Sequence, residues 1–157
     1  MFAIGDKIVY PMHGAGIIEE IEEKKILGEI REYYILNVSC GDMKIMIPVD
    51  SSMEIGIRSI VSDEELLQAI NILHDKSSEM PANWNRRYRE NMEKLKTGNV
   101  LEVAEVVRNL TRTDREKKLS TGEKKMLTNA RQILSSEIIL IKGIDIKEAN
   151  SIIDRAV

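Results

Sequence analysis

The sequence predicts an α+β protein. A small antiparallel β-barrel or strongly bent sheet occupies residues 1–62, and an all-helical region of about five helices occupies residues 63–157. Three observations predict this. Short β-prone runs recur at roughly ten-residue spacing in the first third, the pattern of a small barrel or bent sheet. From Ser62 onward, helix-capping residues each precede an apolar stripe of helical period. Charge also divides along the chain: residues 1–62 hold 6 Lys/Arg and 10 Asp/Glu, net −4, whereas residues 76–131 hold 14 and 8, net +6.

The strands come first. Lys7-Ile8-Val9-Tyr10 is short and β-prone, and Pro11 ends it. Gly14-Ala15-Gly16 permits a tight bend before Ile17, Ile18 and Ile21. Ile30 to Val38 carries Tyr33, Tyr34, Ile35, Leu36 and Val38, a β-rich run. Gly41-Asp42 signals a turn into Met43–Val49, and Ile55, Ile57 and Ile60 supply one more short extended piece. About sixty residues make a marginal core, so this half is expected to lean on the first helix or on a partner.

The helices follow. Ser62 with Glu65 forms a capping box ahead of Leu66, Leu67, Ile70 and Leu73. Residues 76–82, with Pro81, form a loop, and Asn83 caps a second helix running to about Lys96 and stopping at Gly98. Asn99 with Glu102 opens a third, Ser120 with Glu123 a fourth that ends near Gly143, and Asp145 with Glu148 a short fifth.

Composition excludes several classes. At 43% apolar and 31% charged the chain can both fold and stay soluble. Cys40 is alone, so no internal disulfide forms and a reducing, cytoplasmic setting is expected. No basic n-region precedes an apolar run at the N-terminus, and the run Ile138 to Ile141 is far too short to span a bilayer. His13 and His74 lack metal-ligand spacing, and Gly14-Ala15-Gly16 precedes no phosphate-loop helix. No serine sits in a nucleophile elbow, and Glu19-Glu20 and Glu22-Glu23 read as a solvated strand edge. We therefore expect no catalytic residue, metal or cofactor, and a binding function.

Two segments carry that function. Asn83-Trp84-Asn85-Arg86-Arg87-Tyr88-Arg89 places the only tryptophan among three guanidinium groups. Cations hold phosphates at any sequence, and an apolar wedge leans into a groove or unstacked step. The competing reading makes Trp84 a core anchor and the arginines its wet face. Arg86 and Arg89 share a helical face, Arg86 lies near Glu90 at i, i+4, and Arg87 and Arg89 lack an obvious partner within the helix. Arg108, Arg112 and Arg115 form a second stripe, and Lys117, Lys118, Lys124 and Lys125 bracket the Ser120 cap. These cations are either a phosphate surface or an ordinary solvated face. The charged hairpin around Lys24, Lys25 and Arg31 is either a template for a partner strand or a guard against one.

Four segments resemble one family. They are Gly5-Asp6-Lys7-Ile8-Val9-Tyr10-Pro11-Met12-His13-Gly14, Asn83-Trp84-Asn85-Arg86-Arg87-Tyr88, Val103-Ala104-Glu105-Val106-Val107-Arg108-Asn109-Leu110, and Leu119-Ser120-Thr121-Gly122-Glu123-Lys124-Lys125-Met126-Leu127. Together, in order along nearly the whole chain, they resemble the CarD/CdnL bacterial RNA polymerase-binding transcription regulators. The first segment also resembles the polymerase-interaction module of transcription-repair coupling factors.

The resemblance implies a Tudor-like barrel over residues 1–62 that docks on the RNA polymerase β subunit. It implies a helical DNA-binding domain over residues 63–157 at the upstream fork of the promoter −10 region. Trp84 would wedge into the minor groove there and stabilise the open complex, with Arg86, Arg87, Arg89, Lys124 and Lys125 on the DNA. Lys24, Ile26 and Met46 would meet the polymerase. Family members carry arginine at the positions of Lys24 and Met46; Lys24 keeps charge without the bidentate fork, and Met46 keeps neither. The alternative is a protein-interaction adaptor of the transcription machinery with no direct DNA contact. A monomer is expected, cytoplasmic and held at the nucleoid through polymerase.

Overall fold

The computed structural model describes residues 1–41 and 43–157; Asp42, half of the expected Gly41-Asp42 turn, lies outside them. The β-prone runs become β1 (Lys7–Tyr10), β2 (Gly14–Ile26), β3 (Glu29–Val38), β4 (Met43–Pro48) and β5 (Arg58–Ser59). All pairs are antiparallel, in the order β4-β3-β2-β1-β5. The hydrogen-bonded sheet is open, with β4 and β5 at its two edges. A bulge between Ile18 and Glu20 bends β2. Leu27 and Gly28, with φ of 52° and 83°, form the two-residue turn that joins β2 to β3.

Two sequence expectations are corrected. Gly14-Ala15-Gly16 is no bend: it is the start of β2, and the turn falls earlier, where Met12 has φ 72°. The glycines are there for close approach. A Cβ at Gly16 would lie 2.3 Å from the Asn37 carbonyl oxygen, and one at Gly14 (φ 111°) 2.7 Å from Ser136 Oγ. Ile55 is not extended either; it ends the one-turn helix α1 (Ser52–Ile55), which Gly56 closes in the left-handed region.

Five helices follow: α2 (Asp63–His74), α3 (Trp84–Lys96), α4 (Val100–Glu116), α5 (Thr121–Lys142) and α6 (Ile146–Ala156). Each begins where local chemistry dictates. The side chains of Ser62, Asn83, Asn99, Ser120 and Asp145 each accept from a backbone N–H two or three residues on.

There are two buried apolar clusters. Ile8, Ile18, Tyr34, Leu36 and Ile47 centre one, inside the sheet. The other joins Leu66 and Leu73 of α2, Leu95 of α3, Val103, Val107 and Leu110 of α4, Leu134 and Ile138 of α5, and Ile153 of α6. The sheet leans on α5 rather than on the first long helix, α2. Ala15 N–H donates to Ser136 Oγ at 2.7 Å, and Ser39 Oγ donates to the Ser136 carbonyl at 2.8 Å. Arg58 forms two hydrogen bonds of 2.9 and 3.0 Å to the buried Glu137 carboxylate, which also accepts from Val61 N–H. These bonds satisfy backbone and charge that the contact would otherwise bury unpaired.

Candidate nucleic-acid interface

Trp84 is the first residue of α3, set there by the Asn83 cap. Its indole is 44% exposed and belongs to neither buried cluster, so it is not a core anchor. It stacks on Tyr88, one turn along, with ring centroids 5.6 Å apart and planes at 25°. Tyr88 in turn packs against the helical core. The start of α5 passes close to both rings: a Cβ at Gly122 would sit 3.7 Å from Trp84 Cζ2 and 3.8 Å from Tyr88 Cε2, in ordinary contact.

The indole N–H points inward. Trp84 Nε1 donates to Ser120 Oγ at 2.9 Å. Ser120 Oγ also accepts from Glu123 N–H and donates to Glu123 Oε1 at 3.1 Å, which fills its one-donor, two-acceptor capacity. Glu123, 2% exposed, then receives Arg87 Nε at 2.7 Å and Nη2 at 2.9 Å. Those hydrogen bonds from Arg87, helped by its charge and by Ser120, hold the Glu123 carboxyl below its ordinary range against the opposing effect of burial. A bidentate buried pair thus fastens the start of α3 to the start of α5.

Arg87 therefore departs from expectation. The sequence places it among the DNA-facing cations, yet its guanidinium is spent on Glu123 and on the Pro81 and Ala82 carbonyls. The helix offered no partner because the partner lies 36 residues away on α5. Arg86 and Arg89 are exposed on α3, Arg86 at 3.3 Å from Glu90, and Lys124 and Lys125 are exposed on the first turn of α5. Arg86 and Arg89 thus share α3 with Trp84, and Lys124 and Lys125 share α5 with the Ser120 cap that the indole bonds.

The second arginine stripe is also engaged by protein acceptors. Arg108 is 4% exposed and donates to the Ile72 carbonyl, Ser78 Oγ and Asn109 Oδ1; burial pulls its pKa down. Arg112 donates to the carbonyls of Leu73 and Asp75 and to Ser77 Oγ. These two arginines tie the C-terminal carbonyls of α2 and the loop after it, a cation's ordinary place at a helix end. Arg115 reaches the Val157 carbonyl.

On the sheet, Lys24 pairs across from Arg31, Ile26 from Glu29, and Met46 from Ile35. With a two-residue period, Lys24, Ile26 and Met46 share one face. All three are exposed; Lys24 lies 3.6 Å from Glu22, and Arg31 is held by Asp50 at 3.1 Å. On the same exposed strand Glu22 hydrogen-bonds Glu20, raising the Glu20 pKa and lowering that of Glu22, so these carboxyls differ through each other and not through an apolar site.

His13 and His74 are exposed and far apart in the fold's elements, His13 beside Tyr10 and His74 at the end of α2. Cys40 is half-buried, and burial pushes its thiol pKa up, away from the reactive thiolate. Among the described residues no group of three or more His, Cys, Asp or Glu could hold a metal, and no helix is long and apolar enough to cross a membrane.

An open antiparallel sheet packed on a five-helix unit, with a half-exposed indole bonded to the cap of α5, defines an α+β protein. Residues 68–154 match the family model described as CarD, C-terminal domain, and residues 2–61 the one described as CarD-like/TRCF RID domain. The chain is 46% identical over 151 residues to the putative transcription factor YdeB of Bacillus subtilis (strain 168), covering 96% of this chain and 99% of that protein. The chain belongs to the CarD family, a family of transcription-associated factors.

Proposed function

We propose that this protein is a transcription regulator that binds the RNA polymerase β subunit through its sheet half and stabilises the promoter open complex through Trp84. The observation that carries the reading is the half-exposed indole at the head of α3, on two helix starts that also carry exposed Arg86, Arg89, Lys124 and Lys125. Trp84 would enter the minor groove at the upstream edge of the bubble, while the four cations hold phosphates. Arg87 drops out of the contact set, because its guanidinium is occupied. Lys24, Ile26 and Met46 would face the polymerase, on the sheet unit we read as the family's Tudor-like module, residues 1–62. Residues 63–157 would be the DNA-binding domain, acting at the nucleoid of the cytoplasm through polymerase.

Four exposed cations give weak DNA affinity alone, so the tether matters: polymerase binding raises the effective concentration of the helical half at the promoter. Only a preference for opened over closed DNA shifts the equilibrium. About 2 kcal/mol of such preference, within stacking magnitudes, changes open-complex lifetime roughly thirtyfold. The test is Trp84→Ala. It should leave polymerase binding intact and shorten open-complex lifetime by that order. An unchanged lifetime with a folded variant removes Trp84 from the mechanism and favours an adaptor without DNA contact.

A further inference from the structure

We propose that Ser120, braced by the Glu123–Arg87 pair, is a positioning residue that holds the Trp84 indole in the orientation in which it meets DNA; this rests on the reading of Trp84 as the wedge. A half-exposed side chain at a helix start is ordinarily free to change rotamer, and immobilising it on binding weakens affinity. Here the ring is held beforehand at two points. Tyr88 stacks against it, and Ser120 Oγ takes its N–H. Ser120 cannot turn away, because Glu123 Oε1 holds its proton and Glu123 is itself clamped by Arg87.

The same hydrogen bond fixes what the indole can read. Nε1–H is the only polar group of tryptophan, and it donates inward. The outward part of the ring is a purely apolar edge. It therefore offers no donor to the minor-groove acceptors of any base pair, and its contact is with groove shape and stacking. The bracing thus sets a sequence-tolerant wedge.

The chain has one tryptophan, so time-resolved fluorescence anisotropy reports this ring alone in the full-length protein. Glycine caps a helix almost as well as serine but has no hydroxyl, whereas threonine keeps both. A role limited to capping predicts that Ser120→Gly and Ser120→Thr both behave like the parent. Positioning predicts that Ser120→Gly gains a fast local motion, on the picosecond-to-nanosecond scale of free side chains, and that Ser120→Thr does not. With cognate polymerase and promoter DNA, Ser120→Gly should shorten open-complex lifetime roughly fivefold and Ser120→Thr should restore it. An indole as immobile in Ser120→Gly as in the parent overturns the bracing. So does an unaltered Ser120→Gly lifetime where Trp84→Ala shortens it. If Trp84→Ala itself changes nothing, the wedge reading fails, and the proposed purpose of the brace fails with it.

Discussion

Glu123 is the residue on which the candidate interface turns. Arg87's hydrogen bonds are the largest cause of its lowered pKa, from an ordinary 4.5. A depressed carboxyl binds its proton less readily folded than unfolded. Its contribution to stability is therefore whole above 4.5 and is lost as pH falls below that value towards the folded pKa. Arg87, shifted upward, stays charged throughout and adds no pH dependence in this range. Urea titrations of the parent should show stability falling below pH 4.5 with a component that Glu123→Gln lacks. At neutral pH, Glu123→Ala should cost about 3–5 kcal/mol, because it leaves a guanidinium only 14% exposed without its partner. Parallel curves for parent and Glu123→Gln would show that this carboxyl is not titrating against Arg87.

At the scale of elements, legibility followed the range of the interaction. The five caps, Ser62, Asn83, Asn99, Ser120 and Asp145, are each satisfied within three residues, so the sequence displays both partners together. Helix starts were readable for that reason. Arg108, Arg112 and Arg115 displayed only half of their chemistry: a charged stripe looks the same whether it faces phosphate or, as here, the carbonyls of Ile72 and Leu73 on another helix. Trp84 was singled out by composition, but Tyr88 and Gly122 were not, since stacking and a missing Cβ are visible only once α3 meets α5. The distinction has a measurable consequence in the salt dependence of DNA binding by the polymerase complex. Each phosphate contact contributes close to one unit to the slope of log K against log salt. Arg89→Ala should lower that slope by about one. Arg108→Ala should leave it unchanged while lowering stability by about 2 kcal/mol, through the loss of the buried guanidinium's hydrogen bonds to the Ile72 carbonyl, Ser78 Oγ and Asn109 Oδ1. A slope that falls in Arg108→Ala would return this stripe to the DNA surface.

At the scale of the molecule, α5 belongs to both halves. Leu134 and Ile138 lie in the helical core, while Ser136 and Glu137, between them in sequence, receive Ala15, Ser39, Arg58 and Val61 from the sheet side. A sheet of some sixty residues with its own small cluster is marginal alone, and these bonds supply part of what it lacks. The same bonds join the sheet that carries the Lys24–Met46 face to the helices that carry Trp84. Because α5 carries part of the helical core and also the bonds to the sheet, the parent should unfold in a single cooperative transition by both far-UV dichroism and Trp84 fluorescence. Removing the join should separate the probes. In the double variant Ser136→Ala/Glu137→Ala, Ala15 N–H and Val61 N–H lose their acceptors, and Arg58 loses the carboxylate while keeping the Gly98 and Ser59 carbonyls. Arg58 is 27% exposed and is partly rehydrated, so the cost falls at the lower end for a broken buried pair, about 3 kcal/mol. That loss falls on the sheet, whose own core is the smaller. Amide exchange at Ala15 and along β2 should then rise to the level of local opening while α4 keeps its protection. If β2 kept its parent protection in the double variant, the sheet would owe its stability to its own core and not to α5.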